Sequence, residues 1–396
     1  MILKQFPPMG VYETLFEFVD ATSKYMGDPG THPWAQGYPL TKQLPGGPPL
    51  PSNVELEYTD LKYPKATGEI GLREALANYF NRFYDAGITP DHVAVFAGGR
   101  AGIMATLLLL KPGTSIVVEA TEYTPYYDML RLLEHDVSLI PCNAENRFRP
   151  GMEEYTNTIA QLPGDVMLVK SNPCNPTGVM TSGDDLRDRV QMFSGDNRAA
   201  LFDEAYEFYS EPEPESALKH IDDIDSTNIF VIGAATKGLQ VPGMRVGWVI
   251  AAKKHIQAFR NYSSFGMGGV SRPSQIYVTE LLEPLRVAQA REAVNKYFAW
   301  QRERYGEALS ELGVELFTGD GGFYHWGKLP GGLTANEFNV RLFEHDAGIL
   351  PGRFCDMERE AGRPSSLDRF FRFSFGPLEA ESFESDLKIL KACLVA

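Results

Sequence analysis

Cysteine is scarce in this 396-residue chain, and its four members lie far apart, at Cys142, Cys174, Cys355 and Cys393. Because no two of them form a Cys-x-x-Cys pair, we expect reduced thiols rather than a disulfide framework. Apolar runs are also short. None approaches the roughly 20 residues of a membrane span, and the N-terminus has no run long enough for a signal peptide. These absences predict a soluble cytoplasmic protein without a membrane partner.

Positive charge is in deficit as well, with 37 lysines and arginines against 52 acidic residues and a formal net charge of -15. That balance argues against nucleic acid or an anionic membrane surface as a partner, because both attract clustered Lys and Arg. A small anionic substrate remains possible, since its site needs only a few local cations. The seven histidines show no His-Glu-x-x-His or other ligand spacing, so we expect no metal site.

Apolar residues are plentiful, at 43% of the chain, and the length allows two or three domains of about 150 residues each. Residues 28–51 are rich in proline and glycine, which suit neither a regular helix nor a central strand. This segment is either a linker or an ordered arm that lines a site. A helix follows it, because apolar residues recur at helical spacing. They are Leu72, Ala75, Leu76, Tyr79, Phe80 and Phe83.

Seven short apolar runs of strand length come next. They are His92–Phe96, Ser115–Glu119, Val137–Pro141, Val166–Lys170, Ala199–Asp203, Ile229–Gly233 and Val246–Ala251. The gaps between the first six are long enough for crossover helices, which predicts an α/β fold with a seven-stranded, mostly parallel sheet flanked by helices. The gap before the seventh holds Pro242 and Gly243 and is too short for such a helix, so the seventh strand should run antiparallel.

The pattern changes after residue 285, where the elements indicate a smaller α+β domain. They are a long helix over 285–312, strand-like pieces at Gly322–Trp326 and Phe370–Phe375, and a closing helix over 379–394. We therefore expect three parts: an N-terminal arm with part of the small domain (1–50), a large sheet-bearing domain (51–285) and a small C-terminal domain (286–396).

Ligands of an α/β sheet bind beyond the carboxyl ends of its strands, so the residues that follow each strand are candidates. Gly99 and Arg100 follow the first strand in a glycine turn that opens an apolar helix. Backbone N–H groups in such a turn suit a phosphate, although a plain tight turn is the alternative. After the fourth strand, two Asn-Pro pairs in residues 171–178 make either an ordinary loop or a rigid platform that aims Asn175.

Two charged residues lie at the end of the fifth strand and shortly after the sixth. Asp203 ends an apolar strand, where a carboxylate is costly without a cationic partner, although Asp203 also suits a helix N-cap. Lys237 lies among apolar residues, where a lysine can have a lowered pKa and act as an amine nucleophile. Taken alone, such a lysine is more simply a solvated surface residue.

Five segments carry a pattern that is far more specific than any of these residues alone. They are Tyr63-Pro-Lys-Ala-Thr-Gly68, Asn172-Pro-x-Asn175-Pro-Thr-Gly178, Lys237-x-x-x-x-Pro242-Gly243-x-Arg245-x-Gly247-Trp248, Leu350-Pro351-Gly352-x-Phe354 and Arg372-Phe373-Ser374-Phe375. In order and separation they resemble the class I and II aminotransferases, pyridoxal-phosphate (PLP) enzymes of fold type I. The resemblance covers the chain from about Gly37 to the end.

The resemblance implies three catalytic residues, Lys237, Asp203 and Tyr206, and a cofactor- and substrate-binding residue, Asn175. Lys237 would bind the PLP aldehyde as a Schiff base and then serve as the base of the 1,3-proton shift. Asp203 would pair with the protonated ring nitrogen, which keeps the ring an electron sink. Tyr206 and Asn175 would hydrogen-bond the ring oxygen O3′ and lower the pKa of the Schiff base.

The resemblance also implies a phosphate site formed by Gly99, Arg100 and Arg245. Tyr63 would reach that phosphate from the neighbouring subunit of a homodimer. The chain departs from the family in the run Ala234-Ala235-Thr236-Lys237, where the family often has Ser-x-Ser-Lys. The first hydroxyl is lost, so Thr236 or Arg100 would have to compensate. Arg100 is a second departure, because a small hydroxyl residue is common there.

Three further residues face the ring or the substrate by the same resemblance. Tyr123 would stack on the ring, Arg372 would hold the substrate α-carboxylate as a bidentate fork, and Gly37 would lie in the arm that closes over the substrate. The predicted reaction transfers an α-amino group between an L-amino acid and a 2-oxo acid. Another PLP reaction, such as β- or γ-elimination, cyclisation or oxidation, fits the same scaffold, and a PLP-binding regulator is a more distant alternative.

Overall fold

The computed structural model of the protein describes residues 2–394. Within that range, seven strands form one large sheet. They are β1 (Val93–Phe96), β2 (Ser115–Glu119), β3 (Val137–Ile140), β4 (Val166–Ser171), β5 (Arg198–Asp203), β6 (Ile229–Ala234) and β7 (Gly247–Ile250). Their spatial order is β1-β7-β6-β5-β4-β2-β3. β7 pairs antiparallel with β1 and β6, and the other neighbours are parallel, which confirms the predicted sheet.

Helices cover this sheet and bury most of its strand residues, although the edge strand β3 is partly exposed. In chain order the helices are α1 (Gly10–Thr22), α2 (Ile70–Tyr84), α3 (Gly99–Leu108), α4 (Thr124–Leu132), α5 (Met152–Ile159), α6 (Gly183–Met192), α7 (Lys253–Tyr262), α8 (Arg272–Leu281), α9 (Pro284–Glu311), α10 (Ala335–Phe343) and α11 (Phe383–Leu394). Every residue of β1, β4 and β7 is buried, which explains why these strands are continuous apolar runs in the sequence. None of the described helices combines the length and apolar composition needed to cross a membrane.

The connection from β5 to β6 differs from the expected crossover helix. Three short 3-10 turns take its place, at Glu207–Tyr209, Ala217–His220 and Ile224–Ser226. Pro212 and Pro214 interrupt the stretch, and a proline within a helix removes a backbone donor and clashes with the preceding turn. The chain therefore returns to the sheet without an α-helix in this described segment.

A second sheet is built from the C-terminal third of the described chain. It contains β8 (Glu315–Leu316), β9 (Tyr324–Lys328), β10 (Leu350–Pro351) and β11 (Phe370–Ser374) in the order β10-β11-β9-β8, with every pair antiparallel. The N-terminal helix packs on this part of the molecule. Phe18 of α1 is fully buried and meets the ring of Phe343 edge-on, with centroids 5.6 Å apart.

The proline- and glycine-rich segment 28–51 is an ordered arm rather than a linker. Trp34 and Ala35 are fully buried in it. The carbonyl oxygen of Trp34 accepts a hydrogen bond from the Ser374 N–H at 2.8 Å, and the Leu40 N–H donates to the Gly376 carbonyl at 2.7 Å. These bonds fix the arm along the end of β11, where it faces the carboxyl ends of the large sheet.

Candidate active site

A cavity of about 360 Å³ opens where β4, β5 and β6 end, beside the start of α3. This is the position at which ligands bind in α/β sheets. Most of the predicted site residues lie in its lining, and these are Gly99, Arg100, Tyr123, Asn175, Asp203, Tyr206, Thr236, Lys237 and Arg245. The structure thus brings together side chains that are up to 146 residues apart in the chain, between Gly99 and Arg245.

Lys237 lies in the turn after β6 and is partly open to the cavity. Its Nζ donates a hydrogen bond to the carbonyl oxygen of Gly37, so the arm contacts the amine directly. Burial, followed by the cations of Arg100 and Arg372, lowers the pKa of Lys237 to about 7. A substantial share of the amine is therefore uncharged near neutral pH, as a nucleophile requires.

Asp203, at the end of β5, is the buried carboxylate of the cavity. The Tyr126 hydroxyl donates to its Oδ2 at 3.0 Å, and the Ala205 N–H donates to its Oδ1 at 3.2 Å. Burial raises the pKa of Asp203 to about 6, although both hydrogen bonds oppose the rise. The next helical segment is the 3-10 turn with Tyr206 at its N-cap, so Asp203 does not cap a helix. It is placed to bind a cationic N–H within the cavity.

Another part of the cavity is cationic. Gly98 has a φ of 90° and α3 begins at Gly99, which leaves the first N–H groups of the helix without partners inside it. Arg245 lies directly against Gly98, where any Cβ atom would overlap its Nη2. Arg100 Nε donates to the Tyr123 hydroxyl at 2.8 Å. Two guanidinium groups beside a helix N-terminus make an arrangement that binds phosphate.

Arg372 connects the second sheet to the large one. It lies on β11 and is buried. Its Nη1 donates to Oδ1 of Asn175 at 2.8 Å, and its Nη2 donates to the carbonyl oxygen of Ala35 in the arm at 2.7 Å. Its Nε has no hydrogen-bond partner among the described residues. Because both bonded partners are neutral, the guanidinium keeps its charge available for an anion.

Tyr206 links the cavity to a residue of the second sheet. It is buried, and its hydroxyl lies 2.5 Å from the hydroxyl of Tyr324 on β9. Asn175 Nδ2 donates to the same Tyr206 hydroxyl at 3.5 Å. Tyr206 and Asn175, which were both expected to bind the ring oxygen, are therefore adjacent. Tyr324 contacts the Tyr206 hydroxyl from the second sheet.

Glu122 does not line the cavity, but it accepts hydrogen bonds from two residues that do, Ser171 and Tyr123. Its Oε1 accepts the Ser171 N–H at 2.8 Å, and its Oε2 accepts the Ser171 hydroxyl and the Tyr123 N–H, both at 2.7 Å. Burial, reinforced by the nearby Glu119 carboxylate, raises the pKa of Glu122 to about 8, against the lowering effect of Lys170. One fully buried carboxyl group therefore fixes the backbone positions of Tyr123 and Ser171.

Glu119, Glu122 and Cys174 each place a ligand atom within 4.8 Å of the others, a spacing that a metal ion can use. Glu119 already accepts hydrogen bonds from Lys170 Nζ at 2.6 Å and the Tyr155 hydroxyl at 2.5 Å. An ion at this position would have to compete with the buried Lys170 ammonium. The group is better described as a buried ion pair that stabilises the sheet beneath the cavity.

Some of the predicted site residues do not line the cavity, and some residues that line it were not predicted from the sequence. Gly37 and Arg372 contact lining residues without being part of it, whereas the Tyr63 side chain is 95% exposed. Residues that sequence reasoning missed include Tyr12 on α1 and Ser171. Ser171 begins the Asn-Pro turn and could have been inferred from that position, but no local pattern marks Tyr12.

The residues present fit pyridoxal phosphate. The cavity offers an amine with a lowered pKa in Lys237, a carboxylate for a ring N–H in Asp203, and a cationic cradle for a phosphate at Gly99. The cradle depends on the missing side chain of Gly98, since a Cβ there would displace Arg245. The donor set therefore matches the three polar ends of this cofactor.

Comparison with known proteins gives a consistent result. The family profile described as "Aminotransferase class I and II" matches residues 52–381. The chain is 26% identical over 289 residues to the L-glutamine–4-(methylsulfanyl)-2-oxobutanoate aminotransferase of Bacillus subtilis, covering 72% of this chain and 71% of that protein. It is 25% identical over 296 residues to an aspartate aminotransferase of Pyrococcus horikoshii, covering 73% and 74%. A solved aspartate aminotransferase mutant from Thermus thermophilus has the same fold, with a TM-score of 0.80, 20% identity and full coverage of both chains.

Proposed function

Because the chain belongs to the class I and II aminotransferases and is a PLP-dependent aminotransferase, we propose that the cavity at the ends of β4, β5 and β6 is its active site. There an α-amino group would pass between an L-amino acid and a 2-oxo acid. The observation that carries this proposal is the position of Lys237. Its amine has a pKa of about 7 and lies among Asp203, Arg100 and Arg372, which contribute charges of both signs.

Pyridoxal phosphate, when bound, supplies an aldehyde that takes up the amino group and a ring that withdraws electrons from the substrate. Asp203 holds a proton on the ring nitrogen, and the hydrogen bonds from Tyr126 and Ala205 fix its carboxylate. The Lys237 Nζ, as an uncharged amine, would accept the proton from the substrate Cα and hold it until it is donated back, for which a pKa near neutral is suited. Tyr206 and Asn175 would donate hydrogen bonds to the ring oxygen O3′.

The substrate carboxylate binds at Arg372. Taking a carboxylate out of water is costly unless a fixed cation receives it, and a guanidinium does so with two parallel hydrogen bonds. Asn175 and Ala35 hold the guanidinium from two different segments, so its position is set before the substrate arrives. Gly37, which follows Ala35 closely in the arm, lies over the same region.

The phosphate binds at the start of α3. Gly99 supplies a backbone N–H, Arg100 and Arg245 supply charge, and Thr236 supplies a hydroxyl in place of the one lost at Ala234. Tyr123 would stack on the ring, and its hydroxyl already accepts a hydrogen bond from Arg100. Arg100 thereby contacts both the stacking residue and the phosphate site.

The active form is a homodimer in which Tyr63 reaches the partner's phosphate. Two features support this. Tyr63 is 95% exposed and Phe265, in the π-helical turn Ser263–Met267, is 81% exposed. Gly269 packs on Pro64, which brings the two segments side by side. Two large, strongly exposed aromatic side chains in neighbouring segments form the kind of apolar surface that marks an interface.

The arrangement of the chain supports two further proposals. The arm (1–50) and the C-terminal part (286–396) form the smaller domain, and residues 51–285 form the large PLP-binding domain. The burial of Phe18 of α1 against Phe343 supports this division. The cytoplasm is the compartment that best fits four buried, unpaired cysteines among the described residues.

The reaction type is tested by the half-reaction. An amino acid given alone to the PLP-loaded protein should be consumed once per site and then stop, and a 2-oxo acid should restart turnover. Sustained release of ammonia or of a cyclic product without any 2-oxo acid would instead assign the chain to elimination, cyclisation or oxidation. A donor and acceptor screen that follows both products then identifies the substrates.

A further inference from the structure

Tyr324 is a polar residue beside the proposed active site, and the proposed chemistry assigns it no role. It is fully buried on β9, and its strand neighbour β11 carries Arg372. The guanidinium carbon of Arg372 lies 4.2 Å from the centroid of the Tyr324 ring. A buried tyrosine hydroxyl needs a partner, and the partner here is an active-site residue rather than its own sheet.

That partner is Tyr206. The two hydroxyl oxygens are 2.5 Å apart, and Asn175 Nδ2 approaches the same Tyr206 oxygen at 3.5 Å. Asn175 in turn accepts from Arg372 at 2.8 Å. Arg372, Asn175, Tyr206 and Tyr324 therefore form a closed ring of contacts.

The donor directions follow from the number of protons available. A tyrosine hydroxyl has one proton to donate and two lone pairs. If the Tyr206 hydroxyl donates its hydrogen bond to Tyr324, it cannot also donate one to the cofactor oxygen. If Tyr324 is the donor, Tyr206 accepts from Tyr324 and Asn175 and keeps its own proton for the cavity.

We propose that Tyr324 is a positioning residue, which donates its hydroxyl proton to Tyr206 and so directs the Tyr206 O–H into the cavity. The Arg372 cation above the ring favours this direction, because it stabilises electron density that the phenol gains on donating. Gly37 leaves room for the arrangement, since a Cβ there would approach the Tyr324 hydroxyl to 2.7 Å.

The role of Tyr324 rests on the proposed function, specifically on the hydrogen bond from Tyr206 to the cofactor oxygen O3′. That bond favours the unprotonated form of the Lys237 nitrogen bound to the cofactor. Loss of the Tyr324 hydroxyl should therefore raise the apparent pKa at which the visible absorbance of the PLP-loaded protein changes. The charged groups that also face Lys237 are Arg100, Arg372, Asp203 and Arg245, and Tyr324→Phe changes none of them.

The test is a pH titration of the visible absorbance of PLP-loaded wild type, Tyr324→Phe, Tyr206→Phe and the double variant. Tyr324→Phe should raise the apparent pKa by about half a unit to one unit, the size of one neutral hydrogen bond. In the Tyr206→Phe background the same change should have no further effect, because Tyr324 acts through Tyr206. Tyr305→Phe is the matched control, since it removes another buried hydroxyl of the second sheet's domain, one that is bonded to Asp386.

The outcomes separate the two proposals. An unshifted titration in Tyr324→Phe, an equal shift in both Tyr206 backgrounds, or an equal shift in Tyr305→Phe would overturn the role of Tyr324 while leaving the aminotransferase site intact. A wild-type protein that develops no visible absorbance from lysine-bound PLP at any pH would overturn the proposed site and the role of Tyr324 together.

Discussion

Arg372 Nη1 and Asn175 Oδ1 lie 2.8 Å apart, although one residue belongs to β11 and the other to the turn after β4. The bond joins β11 of the second sheet to a residue that lines the cavity at the end of the large sheet. It also fixes the guanidinium by a neutral partner, so that no carboxylate of the protein competes at that bond with the carboxylate of a substrate. The selectivity of the site for amino acids should therefore depend on this one side chain.

Replacement of Arg372 by methionine should weaken transition-state binding of amino acids by about 2–5 kcal/mol, the range for breaking a buried charge pair. Amines that lack a carboxylate should lose little. Single-turnover rates with an L-amino acid and with its decarboxylated amine measure the difference. Arg369→Met is the control, because Arg369 precedes β11 and donates to the Leu329 carbonyl, away from the cavity. Equal losses for both substrates would show that Arg372 supports the fold instead.

Borohydride reduction of the PLP-loaded protein should attach the cofactor to Lys237 and not to Lys170. Lys170 is fully buried and Lys237 is partly open to the cavity, and their surroundings shift the two pKa values in opposite directions. Burial and neighbouring cations lower the pKa of Lys237. Burial also acts to lower that of Lys170, but the Glu119 carboxylate outweighs it and the pKa is raised, which keeps Lys170 an unreactive ammonium. Peptide mass mapping reads the site directly, and an adduct on any lysine other than Lys237 would reject the assignment.

Gly98→Ala should weaken PLP binding by about tenfold, the loss expected for one charge-assisted hydrogen bond. A Cβ at Gly98 overlaps Arg245 Nη2 and must push the guanidinium out of the phosphate site. Gly113→Ala is the matched control, because Gly113 also has a positive φ but has nothing within 4 Å of a Cβ. Both variants should lose some stability through backbone strain, whereas only Gly98→Ala should lose cofactor affinity in an equilibrium titration.

The fold was largely predictable, because its signals are local. Buried strands are continuous apolar runs, and the short gap containing Pro242 and Gly243 was sufficient to predict that β7 is antiparallel. The β5 to β6 connection was the exception. Its length suggested a helix, but Pro212 and Pro214 prevent one from forming.

The candidate site was partly predictable, from residues at the ends of strands and from the family resemblance. Position made Asp203 and Lys237 candidates, with a helix N-cap and a solvated surface lysine as the alternatives, and the family resemblance gave them roles and added Arg372. Tyr324 and Tyr12 could not be inferred, because each reaches the region from an element that no short-range pattern relates to the large sheet. Their places depend on how the second sheet and α1 pack, which is a long-range property of the whole chain.

Phe265→Asp should weaken the proposed homodimer by at least about tenfold, because it would place a charge in the proposed interface, where it must be desolvated. Sedimentation over a range of protein concentrations measures the dissociation constant. Tyr25→Asp is the control, since Tyr25 is also a large, exposed side chain, at 73%, but lies outside the segments around Tyr63 and Phe265. A fully active wild-type monomer would contradict the shared site.

Glu122→Gln should flatten the pH dependence of stability between pH 6 and pH 8. The folded pKa of Glu122, about 8, lies above its ordinary value of 4.5. The folded state therefore holds the proton more tightly than the unfolded state, and stability is lost as pH rises through this window. For these two pKa values the loss between pH 6 and pH 8 is about 2 kcal/mol. Urea unfolding at matched protein and cofactor concentrations measures it.

In Glu122→Gln, the free energy of unfolding at pH 6 and its change between pH 6 and pH 8 should differ from wild type in opposite ways. Both carboxyl oxygens of Glu122 accept backbone N–H groups, from Ser171 and Tyr123, and an amide can accept only one of them. Glu122→Gln should therefore be less stable at pH 6 by about 1–3 kcal/mol, the cost of one unsatisfied buried donor. It should nevertheless lose less than wild type on going to pH 8. The exposed Glu384→Gln should keep the wild-type slope, and a Glu122→Gln slope equal to wild type would place the titrating group elsewhere.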